Sequence, residues 1–227
     1  MKNLVRNALF SLGIIAAAQT AFAAGDAKAG ADKVAICAAC HAADGNSPAP
    51  TFPKIAGLGE KYLLKQLRDV QAWDLEKDIA KKAQTGRAIV EMTGMLAGLS
   101  DEDLQDIAAH YAAQSIQLSG AKEITVLTNS GIEVDALELG ERVFRSGNLA
   151  NGVPACTGCH APDAHGNAPA GYPRLSGQYA EYIEKQLLAF RGGKRVNDGE
   201  QMTMRLVADK MSDAEIKAVA NFVAGLH

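Results

Sequence analysis

One short motif, present twice, constrains this chain more than any other feature. Cys37-Ala38-Ala39-Cys40-His41 returns as Cys156-Thr157-Gly158-Cys159-His160, and the two copies hold all four cysteines of the 227 residues. The flanking sequence returns in the same order. Asp44-Gly45-Asn46 is echoed by His165-Gly166-Asn167, and Phe52-Pro53-Lys54-Ile55-Ala56-Gly57 by Tyr172-Pro173-Arg174-Leu175-Ser176-Gly177. Tyr62-Leu63-Leu64-Lys65-Gln66-Leu67 corresponds to Tyr182-Ile183-Glu184-Lys185-Gln186-Leu187, and Leu99-Ser100-Asp101 to Met211-Ser212-Asp213. An order kept over this length implies a duplicated folding unit. Two tandem domains, residues 24–114 and 134–227, are expected on either side of a linker at 115–133. Units of about 90 residues fall within the ordinary range of small domains.

Each unit reads as helical, so the fold class is all-α. Ser100 with Asp103, and Ser212 with Glu215, have the spacing of helix-starting caps. Leu104, Ile107, Ala108 and Tyr111 follow the first cap, and Ile216, Val219, Ala220 and Val223 follow the second. Both sets have the i, i+3, i+4, i+7 spacing of one buried helical face. Short helical stretches are also expected around Gly30–Val34 and Gly140–Phe144. The linker carries turn signals at Ser119-Gly120 and Asn129-Ser130-Gly131. The β-branched run Ile124–Thr128 between them suits extended chain. A domain of about 60 residues buries only about 60% of its surface, and units of this size do little better. Aromatic residues make up just 5% of the chain. Something other than side chains is therefore expected to fill the centre of each unit.

The N-terminus has the form of an export signal. Lys2 and Arg6 precede an apolar run, Ala8–Ala18, and small residues follow at Ala21 and Ala23. The run is shorter than the roughly 20 residues that span a bilayer. Residues 1–23 are therefore expected to be cleaved, leaving a chain with no stable membrane insertion. Cleavage removes two basic residues and no acid, which takes the formal charge from −3 to −5. Such a chain has no electrostatic reason to bind nucleic acid.

In an oxidising compartment four cysteines would by default form two disulfides. The histidine directly after each pair points elsewhere. Cysteines three apart lie on one face of a helical turn, where both thiols reach the two vinyl groups of a single haem as thioethers. The adjacent imidazole then faces the iron. C-x-x-C-H is the spacing of c-type haem attachment, so Cys37, Cys40, Cys156 and Cys159 are the candidate attachment residues, and two covalent haem c groups are expected. A structural zinc site built from both cysteine pairs would have to join positions 119 residues apart and would leave His41 and His160 unexplained. Thioredoxin-like chemistry lacks its βαβ context.

The repeat also selects the sixth ligand. Met92 and Met204 both lie eight residues before their cap serines, whereas Met95 aligns with Val207 and Met202 with Val90. Candidate iron ligands are therefore His41 with Met92 and His160 with Met204; Met95 and Met202 are the rivals. A thioether is soft, favours ferrous iron and raises the potential. An iron with both axial positions filled passes electrons but offers no open site for substrate. His110, His165 and His227 have no equivalent in the other unit and read as structural or solvated. Arg191-Gly192-Gly193-Lys194-Arg195 reads as a solvated basic loop.

C-x-x-C-H, Pro-x-[Ile/Leu]-x-Gly beginning twelve or thirteen residues after the histidine, and a distal methionine before a final helix resemble a class I cytochrome c. The doubled arrangement, with Asn46-Ser47-Pro48-Ala49-Pro50 and Glu91-Met92-Thr93-Gly94-Met95, resembles the dihaem cytochrome c4 family over the whole mature chain. The resemblance implies two small helical bundles, each around a covalent haem, related by an approximate two-fold axis with haem edges facing each other. It implies that the carbonyls of Pro53 and Pro173 accept from the Nδ1 atoms of His41 and His160. It further implies a periplasmic, high-potential electron carrier, not an enzyme, fed by an upstream donor and donating to a terminal oxidase. Such a carrier is freely soluble or loosely held at the membrane face. The competing readings are a dihaem peroxidase-like enzyme, which needs one haem with a vacant or labile position, and an electron-transfer subunit of a larger oxidoreductase. The second unit departs from the first by an insertion, Arg145–Pro154.

Overall fold

The computed structural model describes residues 25–227, the side chains of Ala83 and Thr85 excepted. The expected signal, residues 1–23, lies outside the described residues. The first unit contains α1 (Ala27–Ala31), α2 (Ala35–His41), α3 (Glu60–Leu75), α4 (Ile79–Thr85), a 3₁₀ turn Val90–Met92 and α5 (Asp101–Ala112). Strands β1 (Thr125–Leu127) and β2 (Glu133–Asp135) form an antiparallel pair. The second unit contains α6 (Ala136–Ser146), α7 (Thr157–His160), α8 (Ala180–Arg191), α9 (Thr203–Asp209) and α10 (Asp213–Gly225). The chain is thus two tandem helical domains joined by a segment with one short two-stranded sheet.

Both final helices start from a reciprocal cap. The Asp103 N–H donates to Ser100 Oγ at 3.1 Å, and the Asp103 carboxylate accepts the Ser100 N–H at 2.9 Å. Glu215 and Ser212 repeat this at 3.3 and 2.8 Å. Each arrangement satisfies two N–H groups that a helix start would otherwise leave unpaired. The apolar faces that follow are buried, including Leu104, Ile107 and Tyr111 in α5 and Ile216, Val219 and Val223 in α10.

The first and last helices of each unit cross at a glycine. A Cβ on Gly30 would lie 2.1 Å from the Asp106 carbonyl oxygen, and one on Gly140 would lie 2.3 Å from that of Ala218. Asp106 and Ala218 occupy the same position relative to their cap serines, so both units use the same backbone-to-backbone approach. α3 packs on α5 in the first unit, and α8 on α10 in the second. The two cores differ in what they bury. The second joins Phe144, Val143, Leu187, Met211, Ile216 and Val223 with many smaller residues. The first cluster is smaller, centred on Leu63, Ile107 and Tyr111.

The connecting segment lies against both units. Asn46 Nδ2 donates to the Ser115 carbonyl at 2.9 Å, and its Oδ1 accepts the Gln117 N–H at 2.7 Å. Ser119 N–H and Oγ both donate to the Gly177 carbonyl, at 3.1 and 2.9 Å. The Asn221 amide brackets Lys122, accepting from its N–H and donating to its carbonyl at 2.9 Å each. The Arg145–Pro154 insertion makes a small turn closed by an Asn148–Val153 bridge, with Leu149 at its exposed tip.

Gly30→Ala and Gly140→Ala should each push a helix pair apart and destabilise its own unit by about 1–3 kcal/mol. Thermal unfolding of the two variants measures this. Unchanged melting in both would show that the crossings have slack.

Candidate functional site

Two histidines end two short helices, and the chain turns sharply just beyond each. His41 is the last residue of α2 and His160 the last of α7. Ala42 follows with φ 61° and ψ 162°, and Ala161 with φ 66° and ψ 158°. This backbone region is close to glycine-only and costs an alanine on the order of 1–3 kcal/mol. The same strain at the same place in both units marks it as part of the site. Beyond the turn the chain returns under the ring, and His41 Nδ1 donates to the Pro53 carbonyl at 2.9 Å. His160 Nδ1 donates to the Pro173 carbonyl, also at 2.9 Å. Both bonds fix the tautomer and leave Nε2 as a free lone pair. Burial lowers the pKa of both rings, against the opposing pull of the proline carbonyls. Each imidazole is therefore neutral at neutral pH, the form that binds a metal.

None of the four cysteines is paired in a disulfide. In the first unit Cys37, Cys40, His41, Met92 and Met95 all line one cavity of about 1010 Å³. Its other walls are largely apolar, including Ile55, Leu63, Leu67, Val70 and Leu96. Thiols, imidazole and thioethers around a large apolar space suit a flat apolar macrocycle carrying an iron. They do not suit a small hydrated cation. In the second unit Cys156 and Met204 pack on one apolar cluster, and His160 is buried. Met202 is exposed, outside that cluster. Among the described residues no group of three or more His, Cys, Asp or Glu is placed to hold a metal. The four cysteines therefore do not converge on a zinc ion.

The family model for cytochrome c matches residues 26–112 and again 137–227. Cytochrome c4 of Azotobacter vinelandii is 49% identical over 219 residues, 96% of each chain. The chain belongs to the cytochrome c4 family. The crystal structure of reduced recombinant cytochrome c4 from Pseudomonas stutzeri has the same fold, with a TM-score of 0.79 and 49% identity over 90% of this chain and 100% of that one. A more distant relative is the thiosulfate dehydrogenase electron acceptor of Thiomonas intermedia, 36% identical over 85% of this chain and 79% of that protein. Membership of the cytochrome c4 family makes the chain an electron carrier with two covalently attached haem c groups, one per domain.

The seam between the domains is polar, and its bonds cross in pairs. Arg87 of the first domain donates to the Tyr182 hydroxyl of the second at 2.9 Å, and Arg195 of the second donates to the Tyr62 hydroxyl of the first at 3.1 Å. Each guanidinium also donates to the glutamine of its own domain, Arg87 to Gln66 at 2.8 Å and Arg195 to Gln186 at 2.7 Å. Tyr182, Gln186 and Arg195 line the first domain's cavity alongside Tyr62, Gln66 and Arg87. Burial alone would raise the pKa of the Tyr62 phenol, but the charges of Arg195 and Arg87 outweigh it and hold the group below its usual value. The structure thus corrects the reading of 191–195 as a solvated loop. Arg195 sits in the seam, and Arg191 donates to the Met211 carbonyl at 3.1 Å and to Asp213 at 2.5 Å. The repeat carried a signal for half of this network, since Tyr62 and Gln66 recur as Tyr182 and Gln186. The arginines carried none, because they occupy unlike positions in the two copies.

Ala42→Gly and Ala161→Gly should relieve the turn after each histidine and stabilise the haem-bearing protein by up to about 1 kcal/mol. Chemical denaturation checks this. A loss of stability in both variants would show that the alanines are unstrained.

Proposed function

We propose that this chain is a high-potential electron carrier of the periplasm that passes electrons from an upstream redox protein to a terminal oxidase. In this reading residues 1–23 are removed on export. Residues 24–114 and 134–227 each carry a haem, and 115–133 connects them. Cys37 and Cys40 form the thioethers of the first haem, and Cys156 and Cys159 those of the second. His41 and Met92 are the axial ligands of the first iron, and His160 and Met204 those of the second. Bound haem supplies the reversible one-electron couple; the chain supplies the ligands, the apolar surroundings and the docking surface.

The observation that carries the reading is the duplicated donor set, a neutral histidine held by a proline carbonyl together with a methionine, in both domains. Thioether ligation and an apolar cavity both favour the ferrous state and so a high potential. Arg87 and Arg195 add positive charge at the seam, which favours electron uptake. A peroxidase needs an iron with an open position, and a methionine at both sites counts against that. Among the described residues no helix is long and apolar enough to cross a membrane, which fits a carrier that moves between partners. The likeness to a thiosulfate dehydrogenase electron acceptor supports a dehydrogenase as one class of upstream donor.

Met92→Ala and Met204→Ala should each lower the potential of one haem and spare the other. The expected fall is on the order of 0.1–0.3 V, within the roughly 0.8 V that axial ligation spans. A spectroscopic redox titration resolves the two haems. If Met95→Ala has this effect and Met92→Ala does not, the ligand of the first domain is misassigned. In the same preparation, solubilised membranes containing the oxidase should oxidise the reduced wild-type protein in a saturable reaction. A chain reduced by its donor but inert towards the oxidase would overturn the terminal-oxidase reading.

A further inference from the structure

The two methionines are held by different means. Met92 closes a 3₁₀ turn within the irregular segment 86–99. Apart from Gly86, whose N–H bonds back into α4, the backbone of that segment is tied to the core, among the described residues, by bonds to α3. The Arg87 N–H donates to the Asp69 carbonyl at 3.0 Å. The Gln71 Nε2 donates to the carbonyls of Leu96 and Leu99 at 2.7 and 2.8 Å. The Asp74 carboxylate accepts the Gly94 N–H at 2.8 Å. This last bond is the nearest to Met92 along the chain, two residues beyond it. Gly94 has φ 77° with open space around it, and Val90 on the other side of Met92 is 84% exposed. Among the described residues, Asp74 is the α3 side chain that tethers the backbone between Val90 and Met95.

Met204 is placed otherwise. It sits in the first turn of α9, which begins at Thr203. The next residue, Arg205, donates to Asp198 twice, from its N–H at 2.8 Å and from Nε at 2.7 Å, and also to the Val196 carbonyl at 3.2 Å. The Asp198 side chain is 3% exposed. Nothing in the second domain corresponds to Asp74, since the matching position carries exposed Lys194. Where Gln71 reaches Leu99, Arg191 reaches Met211.

Given Met92 and Met204 as the ligands, which is the reading proposed above, we propose that Asp74 is a positioning residue for the Met92 sulfur. The first domain is then the site at which an outside nitrogen base displaces methionine most readily. Displacement requires the methionine segment to swing out. In the first domain that movement breaks one carboxylate–amide bond at a glycine hinge. In the second it disrupts the first turn of a helix and an ion pair whose carboxylate is buried. The difference in cost becomes a difference in affinity for a competing ligand.

The test is an imidazole titration of the ferric two-haem protein, followed through the loss of the long-wavelength sulfur-to-iron absorption. Wild type should titrate in two steps, one per haem. Asp74→Ala should tighten the stronger step by about tenfold, the scale of one lost hydrogen bond to a charged group, and leave the weaker step in place. Asp74→Asn keeps an oxygen acceptor for Gly94 and should remain near wild type, which separates the bond from the charge. Asp198→Ala should tighten the weaker step instead. A merely structural role would move thermal stability without this haem-selective change. The proposal fails if Asp74→Ala moves neither step or moves the weaker one, or if the wild-type haems titrate together. Met92→Ala reports separately on the ligand assignment. If both sulfur absorptions survive that substitution, the assignment falls first; if one is lost while Asp74→Ala is silent, only the positioning role falls.

Discussion

In each domain the ring of one histidine donates a proton to the carbonyl of a proline further along the chain, at 2.9 Å in both copies. Nearly everything else in the unit is arranged around that bond. It needs the helix to end at the histidine, so the following alanine takes up a conformation that glycine adopts more cheaply. It needs the intervening segment to return beneath the ring. Gly57 and Gly177 mark where that return docks on the closing helix, donating to the carbonyls of Tyr111 and Val223 at 2.9 and 3.1 Å. The closing helix can receive it because a capping box fixes its start and a glycine crossing brings the first helix against its backbone. The second ring nitrogen is thus held by the packing of the whole domain, so its position is fixed in advance.

Features carried by local pattern were readable in the sequence. The capping boxes, the buried faces of α5 and α10 and the extended stretch at Thr125–Leu127 each depend on residues within a few positions of one another. The paired motifs were readable because duplication supplies its own control: a residue present in both copies stands out from one present in one. This singled out Met92 over Met95 by register. Geometry is more even-handed there, for both side chains line the first cavity.

What could not be read depends on distant partners. Arg195 stands in a stretch with glycines and charges, which by composition is a surface loop. Its bonds reach Tyr62 and Gln66, 133 and 129 positions away. Lys54 is another case. It is 4% exposed, its Nζ donates to the Gln117 carbonyl at 2.5 Å and lies 4.9 Å from the centre of the Tyr179 ring. Its backbone N–H and carbonyl pair with the Gln178 amide at 3.0 and 2.7 Å. No periodicity marks a lysine for burial, because the cause is a second domain folded against it. Asp74 and Asp198 were likewise invisible, since each serves a single copy and the repeat is blind to such residues.

The segment joining the domains bonds to both of them, through Asn46 on one side and Gly177 and Asn221 on the other. For a tethered pair of redox centres this bears on time rather than on stability. Tunnelling falls off steeply with separation, so a loose tether would make every internal hop wait for a rare close encounter and would spread the rates over a wide range. A strap fastened at both ends keeps the gap at one value. An electron crossing such a gap would meet one distance and so one rate, rather than a broad spread.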